Sequence, residues 1–179
     1  MKGFAVVVLP FVALLALLLG GLVVLSPDQP TYACSTTIAT PTDGPKLTAE
    51  QWRYASTIVA EGERVGAPEQ GIVIAIAAAL QESGLRNLGR GDRDSLGLFQ
   101  QRPSQGWGTP AQVQDPAYAA GEFFERLVQV PRWKTRRLTE AAQMVQRSGF
   151  PYAYQQWEPM ARALTRALDD DGDLPLRCA

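Results

Sequence analysis

The chain has 179 residues, enough for one domain with a sizeable core. Its 17 Lys/Arg and 18 Asp/Glu leave a formal net charge of −1, which argues against a nucleic-acid-binding protein. There is no histidine, which excludes Ser/His and Cys/His catalysis and most zinc sites and narrows any enzyme chemistry to carboxylates.

In chain order, Phe4 to Leu25 is a charge-free apolar run of 22 residues preceded by Lys2. About 20 such residues suffice to cross a bilayer. With Lys2 inside, everything that follows lies outside the cytoplasm. A cleaved signal peptide is the rival reading, because Thr31-Tyr32-Ala33 ends in a small residue, but the run exceeds the usual signal core and favours an anchor over residues 1–25. Either way the protein is extracytoplasmic, membrane-anchored or secreted. Residues 26–47 are rich in Pro, Thr and Asp without helical or strand period, and read as a flexible linker. The two cysteines, Cys34 and Cys178, stand at opposite ends of the exported part; an oxidising compartment permits a disulfide, and two free or intermolecular thiols are the alternative.

The folded domain is expected over 48–168. It opens with a capping box, Thr48 as N-cap and Gln51 reaching back. Ala55, Ile58, Val59, Gly62 and Val65 recur at helical spacing until Gly66. Pro68 suits the first turn of a second helix, which runs through Ile72, Val73, Ile74 and Ile76 to Glu82, with Gly84 just past its end. Apolar nearly all round, this helix belongs at the centre of the domain. A lone carboxylate after Ala77, Ala78, Ala79 and Leu80 is partly desolvated and sits at the negative end of the helix dipole; both effects favour the neutral acid. Such a group can donate a proton near neutral pH.

A polar loop over 86–95 carries Asp92 and Asp94. Either would serve as the second carboxylate of a two-acid glycosidase, but Asp94 capping a turn at Ser95 and Asp92 in solvent is the favoured reading. A short extended piece is expected near Leu96 to Gln100. Gln100, Gln101 and Arg102 offer donors suited to sugar hydroxyls and N-acetyl groups. Trp107 is read either as a sugar-stacking aromatic or as a loop anchor. Thr109 to Gln112 repeats the capping pattern, and Asp115-Pro116 starts a longer helix that buries Ala119, Phe123, Leu127 and Val130. Arg132, Lys134, Arg136 and Arg137 surround Trp133 as a basic patch, with Thr139 as cap of the following helix. Gly149-Phe150-Pro151 turns the chain into Tyr152, Tyr154 and Trp157, and a last helix carries Met160, Leu164 and Leu168. Acid gathers in the tail over 169–179. The fold class is mainly α.

Glu82-Ser83, followed by Ser95-Leu96-Gly97-Leu98-Phe99-Gln100 and Pro103, resembles the soluble lytic transglycosylase family of the lysozyme-like superfamily. Asp115-Pro116 with Gly121 and Phe123-Phe124, and the helix from Leu138 through Ala142, extend the likeness to roughly Leu47 to Leu168. Where that family shows Ala-Tyr-Asn-Ala-Gly, this chain has Met144-Val145-Gln146-Arg147-Ser148-Gly149. The resemblance implies a lysozyme-like helical domain with a substrate cleft. It implies Glu82 as the acid that cleaves the bond between N-acetylmuramic acid and N-acetylglucosamine, with no metal or cofactor. The expected substrate-binding set is Ser83, Gln100, Gln101, Trp107, Gln146 and Tyr152. The expected partners are peptidoglycan glycan strands and, through the N-terminal helix, the membrane; no nucleic acid is expected, and the protein is expected to be a monomer. A hydrolytic muramidase using the same Glu82, or a non-catalytic wall-binding protein of the same fold, are the alternatives.

Overall fold

A computed structural model of the chain describes residues 46–170. The expected anchor, most of the linker, both cysteines and the acidic tail beyond Asp170 lie outside the described residues. Within them the architecture is mainly α. Six helices, α1 (Ala49–Arg64), α2 (Glu69–Ser83), α3 (Pro110–Val113), α4 (Pro116–Leu127), α5 (Leu138–Gln146) and α6 (Glu158–Asp170), are joined by single 3-10 turns at Pro103–Gln105, Trp133–Thr135 and Gln155–Trp157. No strand is present among the described residues; the extended piece is two isolated bridges, Leu88 with Gly97 and Leu96 with Gln101.

The helix starts follow local chemistry. Thr48 and Gln51 form the reciprocal capping box of α1, and Thr109 and Gln112 form that of α3. The Asp115 carboxylate accepts from the Ala117 and Tyr118 amides at the start of α4. Two expectations shift. Pro68 is the N-cap of α2 rather than a first-turn residue, its extended ψ handing the chain over to Glu69. Thr139 does not cap α5, which begins at Leu138; the Thr139 hydroxyl instead donates to Pro151 O at 2.8 Å. Tertiary use of the hydroxyl outweighs its local preference. Val65, the last position of the periodic set in α1, is also outside the core, because the helix ends at Arg64 and turns it outward.

The centre of the domain is α2. From Gly71 through Leu80 every residue is buried, and α1, α4, α5 and α6 all pack on it. Burying a side chain such as Ile74 or Ile76 contributes roughly 1.5–3 kcal/mol relative to exposure. A helix covered on all sides cannot present a side chain to a ligand from its middle, so only its ends can.

Past α2 the chain makes a tight turn, Gly97 to Gln100, closed by paired backbone bonds between Leu96 and Gln101, both 3.0 Å. Gly97 has φ +78°, and a Cβ there would run into the Val113 carbonyl oxygen. Conformation and space both demand glycine. The G97A variant is expected to lose about 1–3 kcal/mol of stability, read as a lowered urea midpoint; an unchanged midpoint would contradict this packing.

Candidate functional site

Glu82 occupies the penultimate position of α2, half-buried, with the left-handed Gly84 closing the helix behind it. The backbone N–H groups of Gly84 and Leu85 return to Leu80 O and Ala79 O at 3.0 and 3.2 Å, which satisfies two terminal carbonyls. Leu85 also takes a positive φ, +55°, and is wholly buried, so the turn is held by packing as well as by glycine.

Four contacts fix this end of α2. Gln51, whose Oε1 completes the α1 capping box, donates its Nε2 to Gly84 O at 2.8 Å. The Ser83 hydroxyl lies 2.7 Å from Leu98 O and 3.1 Å from Ala79 O, and accepts from the Arg86 amide. Gln81 Oε1 accepts from the Trp157 indole at 2.8 Å. Finally, the Tyr154 hydroxyl donates to Glu82 Oε1 at 2.7 Å. Tyr154 itself is wholly buried.

The protonation of Glu82 follows from this setting. Burial is the leading cause and raises its pKa above 4.5. The Tyr154 hydroxyl, and more weakly the Gln146 amide nearby, stabilise the anion and pull the other way; burial outweighs both. The phenol in turn is pushed far up, chiefly by its own burial and then by the adjacent carboxylate, so it remains a hydrogen-bond donor. The outcome is a carboxyl biased towards its neutral form with a built-in donor for its anion.

The expected substrate-binding residues separate into groups. Gln146 belongs with Glu82: its Nε2 donates to Phe99 O at 2.9 Å, linking α5 to the Gly97–Gln100 turn. Ser83 is buried with its hydroxyl committed to Leu98 O, so it positions the turn against the helix and does not face a ligand. Gln100 sits at φ +47° and folds its amide back on Gly97 O at 3.1 Å. Gln101 is 1 % exposed, its Nε2 spent on Ala119 O, and a substrate cannot reach it. Trp107 is 6 % exposed beneath the Arg126 guanidinium, 3.7 Å from the ring centroid; it is a loop anchor, because the cation shields the face that a sugar would need. Tyr152 is 73 % exposed and lines a pocket among arginines that does not include Glu82.

The loop acids differ from their expected roles in one case. Asp92 is solvated, as expected. Asp94 caps no turn at Ser95: its two oxygens accept from Arg102 Nε at 2.7 Å and the Ser104 amide at 2.8 Å, which ties the loop to the segment after the turn. Those bonds, the Ser104 backbone amide first, hold Asp94 well below the usual carboxylate range. Tyr154 is the residue that sequence reasoning missed. It stands 72 positions from Glu82 in the chain, and the only signal was its place in the aromatic cluster from Tyr152 to Trp157. A scan against protein-family models finds no match to this chain, and a search of curated proteins finds none.

A carboxyl whose pKa is raised in the folded state leaves the native form holding a proton that the unfolded chain has released, so stability falls as pH rises from about 4.5 through the native value. E82Q removes that penalty while its amide oxygen can still accept from Tyr154. It is therefore expected to melt above wild type at pH 7, and the advantage should vanish below pH 4.5, where both states are protonated. Thermal melts at the two pH values test the sign.

Proposed function

We propose that this domain is a peptidoglycan lytic transglycosylase of lysozyme-like fold, acting with one carboxyl, Glu82. The observation that carries the reading is that carboxyl itself: its pKa is raised by burial at the end of a wholly covered helix, and it accepts a 2.7 Å bond from a buried phenol. A mainly helical domain built around that helix is consistent with it. So is the ordered motif set, in which Ser83 clamps the Gly97–Gln100 turn beside the acid.

In this reading neutral Glu82 protonates the oxygen of the glycosidic bond between N-acetylmuramic acid and N-acetylglucosamine, and the C1–O bond breaks with its electron pair leaving on that oxygen. The N-acetyl oxygen of the muramic residue supports the positive charge at C1. Glu82, now a carboxylate held by the Tyr154 hydroxyl, takes the proton from the muramic 6-hydroxyl as that oxygen closes on C1. One proton leaves Glu82 and one returns, so the enzyme ends as it began. Charge-assisted bonds are stronger than neutral ones, so Tyr154 contributes most while Glu82 is ionised. Asp94, with both oxygens engaged, and Asp92, solvated, are poor second carboxylates, which favours the single-acid route. Residues 1–25 would carry the domain across the membrane to its substrate.

Mass spectrometry of fragments released from purified peptidoglycan tests the reading. Anhydromuramic ends are expected from wild type, with E82Q slower by about 10²–10⁴-fold. Reducing muramic ends would make the enzyme a hydrolase, and no fragments from either protein would make it a wall-binding domain. In Y154F the carboxylate loses its donor, so the pKa of Glu82 rises further and the high-pH limb of the rate profile is expected to move to higher pH. A limb that stays in place or moves down would remove Tyr154 from the mechanism.

A further inference from the structure

A concave site lies at the junction of α2, α5 and α6, outside the Glu82 neighbourhood just described. It has a volume of about 430 Å³, within the range of small-molecule pockets. The adjacent Arg136 and Arg137, just before α5, and Arg162 on α6 reach it from two separate parts of the chain, against one lining carboxylate, Glu158. We propose that this pocket binds an anionic group of carboxylate or phosphate type.

The guanidinium groups are placed by partners that leave donors over. Arg162 is steadied by Glu158 Oε1 at 2.7 Å and Gln70 Oε1 at 2.9 Å. Arg136 Nε donates to Pro131 O at 2.8 Å, and its nearest ion-pair contact, Glu140, is a loose 3.8 Å. Arg137 meets the same Glu140 through Nε at 2.8 Å and through one terminal nitrogen, with its side chain 71 % exposed. Each guanidinium has five N–H donors in a planar fork that matches carboxylate or phosphate oxygens two at a time. Three cations facing two carboxylates, Glu140 and Glu158, leave one positive charge unbalanced. A pocket that already holds arginines in place pays little side-chain entropy on binding. Tyr152 forms part of the rim, its hydroxyl a further donor.

The position also matters. The Thr139 hydroxyl on the pocket wall holds Pro151 O, Tyr152 lines the pocket, and Tyr154, two residues on, bonds Glu82. One short strip of chain therefore borders both sites. If Glu82 cleaves wall glycan, which this step takes from the proposed function, two wall anions could fill the pocket: the carboxylates of the peptide stems on the substrate, or the phosphates of polymers attached to it.

NMR titration of the full chain tests the pocket without relying on catalysis. Inorganic phosphate and N-acetyl-D-alanine are the two anion probes, and N-acetyl-D-alanine amide is the neutral control. Saturable shifts confined to the amides of Arg137, Leu138, Thr139 and Tyr152 are expected with the anions and not with the amide. Tighter phosphate binding would support the proposal with wall phosphates as the source, and tighter carboxylate binding would support it with peptide stems. R137Q is expected to weaken binding roughly tenfold. E140Q, which releases Arg136 and Arg137 from their shared carboxylate, is expected to strengthen it. E82Q should bind as wild type, so failure of the catalytic reading leaves this result intact. Equal shifts with the neutral amide, no saturable shift, or wild-type affinity in R137Q would each overturn the proposal.

Discussion

The rest of this domain depends on the burial of one helix, α2, which is covered on all sides and holds a carboxyl, Glu82, at its end. The interior of α2 is alanine and branched aliphatic residues, and four other helices are spent on covering it. That cover fixes the helix axis and withholds water from its end. Desolvation at that end is what pushes Glu82 towards its neutral form. The polar groups that would otherwise solvate the helix terminus are replaced by protein ones: Gln51 on Gly84 O, Trp157 on Gln81, and Ser83 on Leu98 O. Each of these bonds removes an unsatisfied group without adding charge, so the carboxyl stays desolvated although its neighbours are polar.

The contrast with Asp94 shows how environment separates two carboxylates on one chain. Asp94 is on a loop and receives an arginine and a backbone amide, and both favour its anion. Glu82 receives a burial penalty that exceeds the help of its neutral donors, the Tyr154 hydroxyl and, more weakly, the Gln146 amide. The first is a structural tie that stays ionised, and the second is suited to exchange a proton. A carboxylate count in the 82–94 region would treat them alike; their hydrogen bonds do not.

The parts of this arrangement written in local sequence were legible. The capping boxes at Thr48 and Thr109, the Asp115 cap, the glycine after α2 and the unbroken apolar stretch of α2 itself all act within one or two turns, and all took the expected form. What failed were readings of polar and aromatic residues whose partners lie far along the chain. Gln101 looked like a sugar donor until Ala119 O claimed it, whereas for Trp107 the loop-anchor reading held and the sugar-stacking one did not, with Arg126 over its face. Thr139 had the chemistry of a cap and a better partner at Pro151. The aromatic cluster from Tyr152 to Trp157 did not single out Tyr154, because Tyr152 is the same residue type two positions earlier in the same turn; only the fold decides which of them is buried against Glu82.

The end of α5 and the segment after it complete the surroundings of Glu82. Gln146, the last residue of α5, makes the link to the turn through Phe99 O. Ser148, bonded to Gln143, stands beside the Tyr154 hydroxyl. The strip from Pro151 to Trp157 is then pinned at both ends, by Thr139 and by Gln81. Between those pins the side chains diverge: Tyr152 goes to the arginine pocket and Tyr154 to the acid. A strip so held cannot slide to exchange one tyrosine for the other without breaking bonds at both ends, so the hydroxyl beside Glu82 is set by the register of the strip, and that register is set by helices on either side of it.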